Sequence, residues 1–217
     1  HGVTPTVLFD RLGMYDYGGG GFHCVHMSDE DIEIFKKRGL WAVLNPASNL
    51  KLASGIAPVK RFIDEGIALA IGTDGAGSNN ALDMFREMYL VSVLAKYREN
   101  DASAVDASKV LEAACVGGAR AMGLNDCDAI AVGKKADLAV IDLNRPNMRP
   151  INNIAKNIVY AGSKENVRLT MVNGRILYEN GEFFIGRAYL CLPRYLSGKL
   201  CVRKTRSRED GKLLTSY

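Results

Sequence analysis

Long apolar runs are missing from this chain of 217 residues. The longest stretches, such as Ile67–Ile71, fall far short of the ~20 residues a membrane span requires, so no membrane partner is expected. Paired cysteines are missing too. Cys24, Cys115, Cys127, Cys191 and Cys201 are odd in number and never spaced as CxxC, which excludes a disulfide mini-protein. No signal peptide precedes them, and together these features point to a reducing, cytoplasmic setting. Histidine is scarce, with only His1, His23 and His26. What is present is ample core material: 47% hydrophobic and 24% charged residues exclude disorder and collagen. The chain opens on His1 rather than Met, so it reads as a portion of something longer.

The net charge of +4 hides an uneven distribution. Residues 187–217 hold eight Lys and Arg against Glu209 and Asp210, while the first 186 residues carry 20 basic and 22 acidic side chains. A basic tail can bind nucleic acid or anionic lipid. This one lacks aromatic–basic interleaving and reads instead as a solvated, poorly ordered or aberrant tail, with no nucleic-acid partner expected.

Strand-plus-helix units follow one another through the first half. Residues 2–12 read as a short helix, and the run Gly18–Gly21 as a loop into a strand. That run has the composition of a phosphate cradle, but no helix opens directly behind it. Phe22–Val25 is a short strand, after which Ser28 caps a helix to Arg38 with Asp31 at the capping-box position. Leu40–Leu44 is a strand, Asn45–Ala57 a polar loop, and Pro58–Gly66 a helix. Ile67–Gly72 is continuously apolar, as a strand buried on both faces should be. Helices over 82–98 and 106–122 complete the half. Alternation of this kind predicts parallel βαβ units of an α/β fold, either a small open sheet or the back portion of a (β/α)8 barrel, since three units cannot close a barrel of eight. Beyond Ala129 the pattern turns to short strands: 136–142, 157–161, and 167–172 with 175–178. The last two are joined by Asn173-Gly174, a type I′ hairpin signal. The expected division is 1–128 for the α/β part, 129–186 for a small β subdomain, and 187–217 for the basic tail.

Reactive groups on parallel α/β scaffolds gather where strands end. Three stretches qualify: His23-Cys24-Val25-His26, Asn45-Pro46-Ala47-Ser48-Asn49, and Thr73-Asp74-Gly75 through Asn80. Asp74, directly after an apolar strand, either ligates a cation or accepts nearby backbone donors as a turn and helix cap, with Asn79 or Asn80 as alternative caps. His23 and Cys24, successive on a strand, should face opposite sides. His23 is a ligand or proton-carrier candidate, or a packed core histidine. His26 suits local hydrogen bonding, and Ser78 and Asn49 taken singly are ordinary loop polar groups.

Together, residues 22–123 resemble the amidohydrolase superfamily, in its methylthioadenosine/S-adenosylhomocysteine deaminase and chlorohydrolase-like branch. The motifs that carry the likeness are His23-Cys24-Val25-His26, the stretch from Asn45-Pro46-Ala47-Ser48-Asn49 to Pro58, Gly72-Thr73-Asp74-Gly75, and the later Gly133-Lys134-Lys135-Ala136-Asp137-Leu138. The resemblance implies strands six to eight of a (β/α)8 metal-dependent hydrolase barrel plus part of a composite β subdomain. It implies one divalent metal, zinc before iron, with Asp74 as a ligand and the other ligands upstream of His1. It makes His23 and Asp74 catalytic and places Ser78 at the substrate. The implied activity is hydrolysis of non-peptide C–N bonds in a small molecule, namely deamination of adenosine-type compounds such as S-adenosylhomocysteine or methylthioadenosine. Leu44 stands where relatives commonly have histidine before Asn-Pro. The alternatives are a non-catalytic truncated fragment, a half barrel that self-associates as a homo-oligomer, and a phosphate-binding module using Gly18–Gly21.

Overall fold

A computed structural model of the chain describes residues 2–184 and the backbone of 207–209 and 212–214. Two compact units emerge. The first comprises His1–Lys134 and Asn144–Lys164, the second Lys135–Leu143 and Glu165–Tyr217. Residues 144–164 group with the first unit.

The first unit is built on three parallel strands in the order β1 (Gly20–Phe22), β2 (Trp41–Leu44) and β3 (Ala68–Ile71). The register pairs Phe22 with Val43 and Val43 with Ala70. Helix α1 (Pro5–Arg11) precedes β1, and α2 (Asp29–Arg38) links β1 to β2. The predicted capping box closes α2: Ser28 Oγ accepts from the Asp31 amide at 3.2 Å, and the Asp31 carboxylate accepts from the Ser28 amide at 2.9 Å. Three acidic residues in its first turn and three basic ones in its last suit the helix dipole. Ile32 and Phe35 are buried on its inner face with Leu40, Leu44 and Phe62. Each such burial stabilises by about 1.5–3 kcal/mol relative to exposure.

The link from β2 to β3 is less of a loop than 45–57 suggested. Pro46 occupies the first turn of a short helix, α3 (Pro46–Lys51), where its missing N–H costs nothing. Helix α4 (Val59–Asp64) then leads into β3. After β3 come α5 (Ala76–Asn79), α6 (Met84–Glu99) and α7 (Ala107–Glu112). The single helix expected over 106–122 is instead α7, a π turn at Ala113–Gly117, and α8 (Gly118–Ala121). The π turn packs on β3 so closely that a Cβ on Gly117 would lie 2.0 Å from the Leu69 carbonyl oxygen.

The strand expected over 157–161 is a helix, α9 (Ile154–Ala161). Ile158-Val159-Tyr160 has strand composition, but Asn153 caps the segment by accepting from the Lys156 amide. Its apolar side packs against α6 and α7, with Val159 fully buried. Tertiary packing overrides local propensity here.

The second unit is an antiparallel sheet in the order β4 (Leu138–Ile141), β5 (Val167–Val172), β6 (Arg175–Glu179), β7 (Glu182–Phe183). Asn173 and Gly174 take φ of 49° and 77°, the signs that a type I′ hairpin demands. Asn180-Gly181 repeats the pattern. Most of the basic segment 187–217, read as a poorly ordered tail, lies outside the described residues; within it, β8 (Ser207–Glu209) pairs antiparallel with β9 (Lys212–Leu214).

Candidate active site

The chain leaves β1 and β3 by the same device, a residue in the left-handed region. His23 and Cys24 have φ of 66° and 47°, and Asp74 has 58°. The expected strand through Val25 thus stops at Phe22. His23 and Cys24 do not alternate across a sheet; they sit in a turn, pinned by the His23 amide donating to the Val43 carbonyl at 2.8 Å. The two side chains still separate. Cys24 is buried, with Sγ donating to the Gly21 carbonyl at 3.2 Å. His23 swings toward the segment after β2, where its Nδ1 lies 2.7 Å from Asn49 Oδ1.

That contact assigns the tautomer: an amide oxygen only accepts, so Nδ1 carries the proton and Nε2 of a neutral ring offers a lone pair. Nε2 lies 4.0 Å from Asp74 Oδ2. The separation is too long for a direct hydrogen bond and suits one atom bridging the two.

Asp74 sits among donors. Its Oδ2 accepts from Ser48 Oγ at 2.6 Å and Ser78 Oγ at 2.7 Å, and its Oδ1 accepts from the Gly75 amide at 2.7 Å. The Ser48 hydroxyl first, then Ser78 and the Gly75 amide, hold the carboxyl down to about 2, so Asp74 is ionised at neutral pH. It is not a helix cap: Gly75 occupies that position for α5, and Asp83, not Asn79 or Asn80, caps α6 by accepting from the Phe85 and Arg86 amides. Ser78 donates within the Asp74 cluster and lies 3.0 Å from the Gly75 carbonyl. His26 is exposed. An open cleft beside the His23–Asp74 pair is walled by Phe9, Tyr15, Met27 and Leu52. An apolar wall beside a carboxylate and an imidazole fits a partly apolar small molecule.

Two contributors escaped the sequence reading. Ser48 is fully buried and makes the shortest described bond to Asp74, one residue from the Asn49 that was considered. Glu87 is fully buried on α6. Its signal was periodic: it shares the spacing of Val91 and Ala95 on the inner stripe, where a carboxylate needs a reason to be.

A catalytic metal of the zinc type takes about three protein ligands plus water. Among the described residues no three His, Cys, Asp or Glu side chains converge. Asp74 and the Nε2 of His23, 4.0 Å from Asp74 Oδ2, offer two donors, and these do not complete such a centre.

Residues 8–177 match the model of the Amidohydrolase family, and the chain belongs to that family. It is 43% identical over 183 residues to a 5-methylthioadenosine/S-adenosylhomocysteine deaminase of Moorella thermoacetica, covering 84% of this chain and 43% of that protein. It is 42% identical over 182 residues to the enzyme of the same name from Dictyoglomus thermophilum, again covering 84% and 43%. Among solved structures it resembles an adenosine deaminase from Xanthomonas campestris with bound zinc, at 37% identity and a TM-score of 0.80, covering 84% of this chain and 42% of that one. It also resembles a zinc complex of atrazine chlorohydrolase from Arthrobacter aurescens, at 25% identity and a TM-score of 0.75, covering 83% and 40%. The chain thus spans less than half the length of the proteins it matches.

Proposed function

We propose that this chain supplies part of the active site of a metal-dependent hydrolase of non-peptide C–N bonds, an aminohydrolase acting on adenosine-type compounds such as S-adenosylhomocysteine or methylthioadenosine. The observation that carries the reading is the approach of Asp74 Oδ2 to His23 Nε2, 4.0 Å apart at the ends of two strands that are not neighbours. In this reading β1, β2 and β3 are the last three strands of a (β/α)8 barrel. A divalent metal, zinc before iron, has Asp74 as its one ligand here and its remaining ligands outside the chain. The relatives' printed names and the zinc in the similar structures support this.

The roles of this chain's residues follow from their environments. Asp74, ionised at neutral pH with Oδ2 held by Ser48 and Ser78, takes the proton of the attacking water. His23, oriented by Asn49, sets its Nε2 lone pair to accept a hydrogen bond from the same water and so holds it for attack. Ser78 contacts the substrate. Water adds at the amine-bearing ring carbon, the C–N bond breaks, and ammonia leaves with the transferred proton. A cytoplasmic enzyme fits the free thiols of Cys24 and Cys115.

The test is ammonia release from S-adenosylhomocysteine, methylthioadenosine and adenosine by the product of the complete reading frame, with and without Asp74→Asn. Release by the parent and a drop of at least ~1,000-fold in the variant are expected, the scale of losing a central charged group. Unchanged release by Asp74→Asn would refute the assignment. A second reading, a non-catalytic half barrel that pairs with another copy, is favoured by one observation: among the described residues β1 and β3 each pair on one side only. Absence of both ammonia release and stoichiometric zinc in the complete product would decide for it.

A further inference from the structure

Among the described residues Glu87 is the one carboxylate fully buried beside the Asp74 cluster without belonging to it. Burying a carboxylate is costly unless each oxygen meets a donor, and here each does. Oε2 accepts from the Ala47 backbone amide at 3.0 Å, and Oε1 accepts from Asn79 Nδ2 at 2.7 Å. The second hydrogen of Asn79 Nδ2 reaches the Thr73 carbonyl at 2.6 Å. Facing two acceptors, that amide can be oriented only one way. The arrangement leaves Asn79 Oδ1 buried without a partner, a penalty that packing alone gives no reason to accept.

The three points that this network grips are each one residue from a member of the cluster. Ala47 precedes Ser48, Thr73 precedes Asp74, and Asn79 follows Ser78. The grip on Ala47 also repairs a defect in α3, whose N-cap residue Asn45 makes no side-chain capping bond. The Ala47 amide is one of the orphan donors of that helix start, and Glu87 caps it from 40 residues away. Burial pushes the Glu87 carboxyl up, and the Ala47 and Asn79 donors oppose that push.

We propose that Glu87 is the positioning residue of this site: its carboxylate, with Asn79, bridges the segments after β2 and β3 and so brings Ser48 and Ser78 to Asp74. The importance of that contact for chemistry rests on the aminohydrolase reading, whereas the bridge itself does not.

Side-chain chemistry makes the bridge testable in the 217-residue chain by amide hydrogen exchange. Glu87→Gln keeps one oxygen for Ala47 but turns amide hydrogens toward Asn79, forcing it to give up Thr73. Glu87→Leu, of similar size, offers neither half an acceptor. Asn79→Ala removes the Thr73 half only. Exchange at Gly75, Asn79 and Asn80 should therefore quicken about tenfold in all three variants, the scale of one lost hydrogen bond. Exchange at Ala47 should quicken by that factor in Glu87→Leu alone. Leu40 and Ile67, whose amides donate to Phe35 and Phe62 in the core, should keep their rates throughout. A residue that merely fills the core would change Leu40 and Ile67 together with the loops, and that result would overturn the proposal. So would an Ala47 rate that follows Asn79 in Glu87→Gln, or one unaltered in Glu87→Leu. Should Glu87→Leu not fold, Glu87→Gln and Asn79→Ala decide alone. Ammonia release is not read, so the exchange pattern and the aminohydrolase reading succeed or fail separately.

Discussion

Two adjacent glycines at the end of the π turn should respond to the same substitution with opposite signs. A Cβ on Gly117 would lie 2.0 Å from the Leu69 carbonyl oxygen and 3.2 Å from its carbon, whereas one on Gly118 would meet nothing within 4 Å. Ordinary contact begins near 3.4 Å, so Gly117→Ala must drive the π turn and β3 apart by about 1.4 Å. Neither side is a flexible side chain that can rotate away; both are backbone, one in a helix and one in a paired strand. Overpacking costs ~1–3 kcal/mol where side chains can yield, and here a loss of ~3 kcal/mol or more is expected. Gly118 has helical φ and ψ of −57° and −45°, so Gly118→Ala should gain up to ~1 kcal/mol from helix propensity. Trp41, the only tryptophan and part of β2 beside β3, reports unfolding of this unit by fluorescence in urea. At ~1–3 kcal/mol per molar urea, the first variant should lose at least about 1 M in midpoint while the second holds or gains. Equal losses at the two positions, or none at Gly117, would refute the packing of the π turn on β3.

Asp128 is held below the usual carboxylate range by Lys134 first and Arg120 second. A carboxylate with a lowered folded-state value stabilises above its unfolded value near ~3.9, and that contribution is lost as pH falls through the folded value. Asp128→Asn should therefore have a lower urea midpoint at pH 7 and a flatter decline below about pH 4; an acid limb identical to that of the parent would contradict the ion-pair assignment. Burial pushes the Cys24 thiol up to about 12. At pH 8 iodoacetamide should spare Cys24 in the native chain and modify it in urea, as read by peptide mass mapping, and rapid native modification would show the thiol to be accessible.

Parts of both units were legible because their signals are local. Ser28 with Asp31, the apolar run into β3, and Asn173-Gly174 each act within a few residues, and each formed as expected. Asp74 was legible for a related reason: a charge straight after a buried strand has few places to go. The failures are non-local. Whether Ile158-Val159-Tyr160 becomes strand or helix depends on α6 and α7, the nearer of which ends 46 residues before Ile158. The turn at His23 depends on the Val43 carbonyl in the next strand. Ser48 and Glu87 acquire meaning only when the segments after β2 and β3 come together, and no spacing along the chain records that meeting.

The left-handed backbone at His23 and Asp74 sets the fold against the chemistry. Glycine would occupy either position with less strain, a relief on the order of 1 kcal/mol. Asp74 recovers part of that through the Gly75 amide, whereas the imidazole bonds across to Asn49 and gains nothing from its own turn. Selection for durability alone would therefore erode the imidazole before the carboxylate. The role proposed for His23 beside Asp74 would supply a reason for an imidazole to stand at so strained a position.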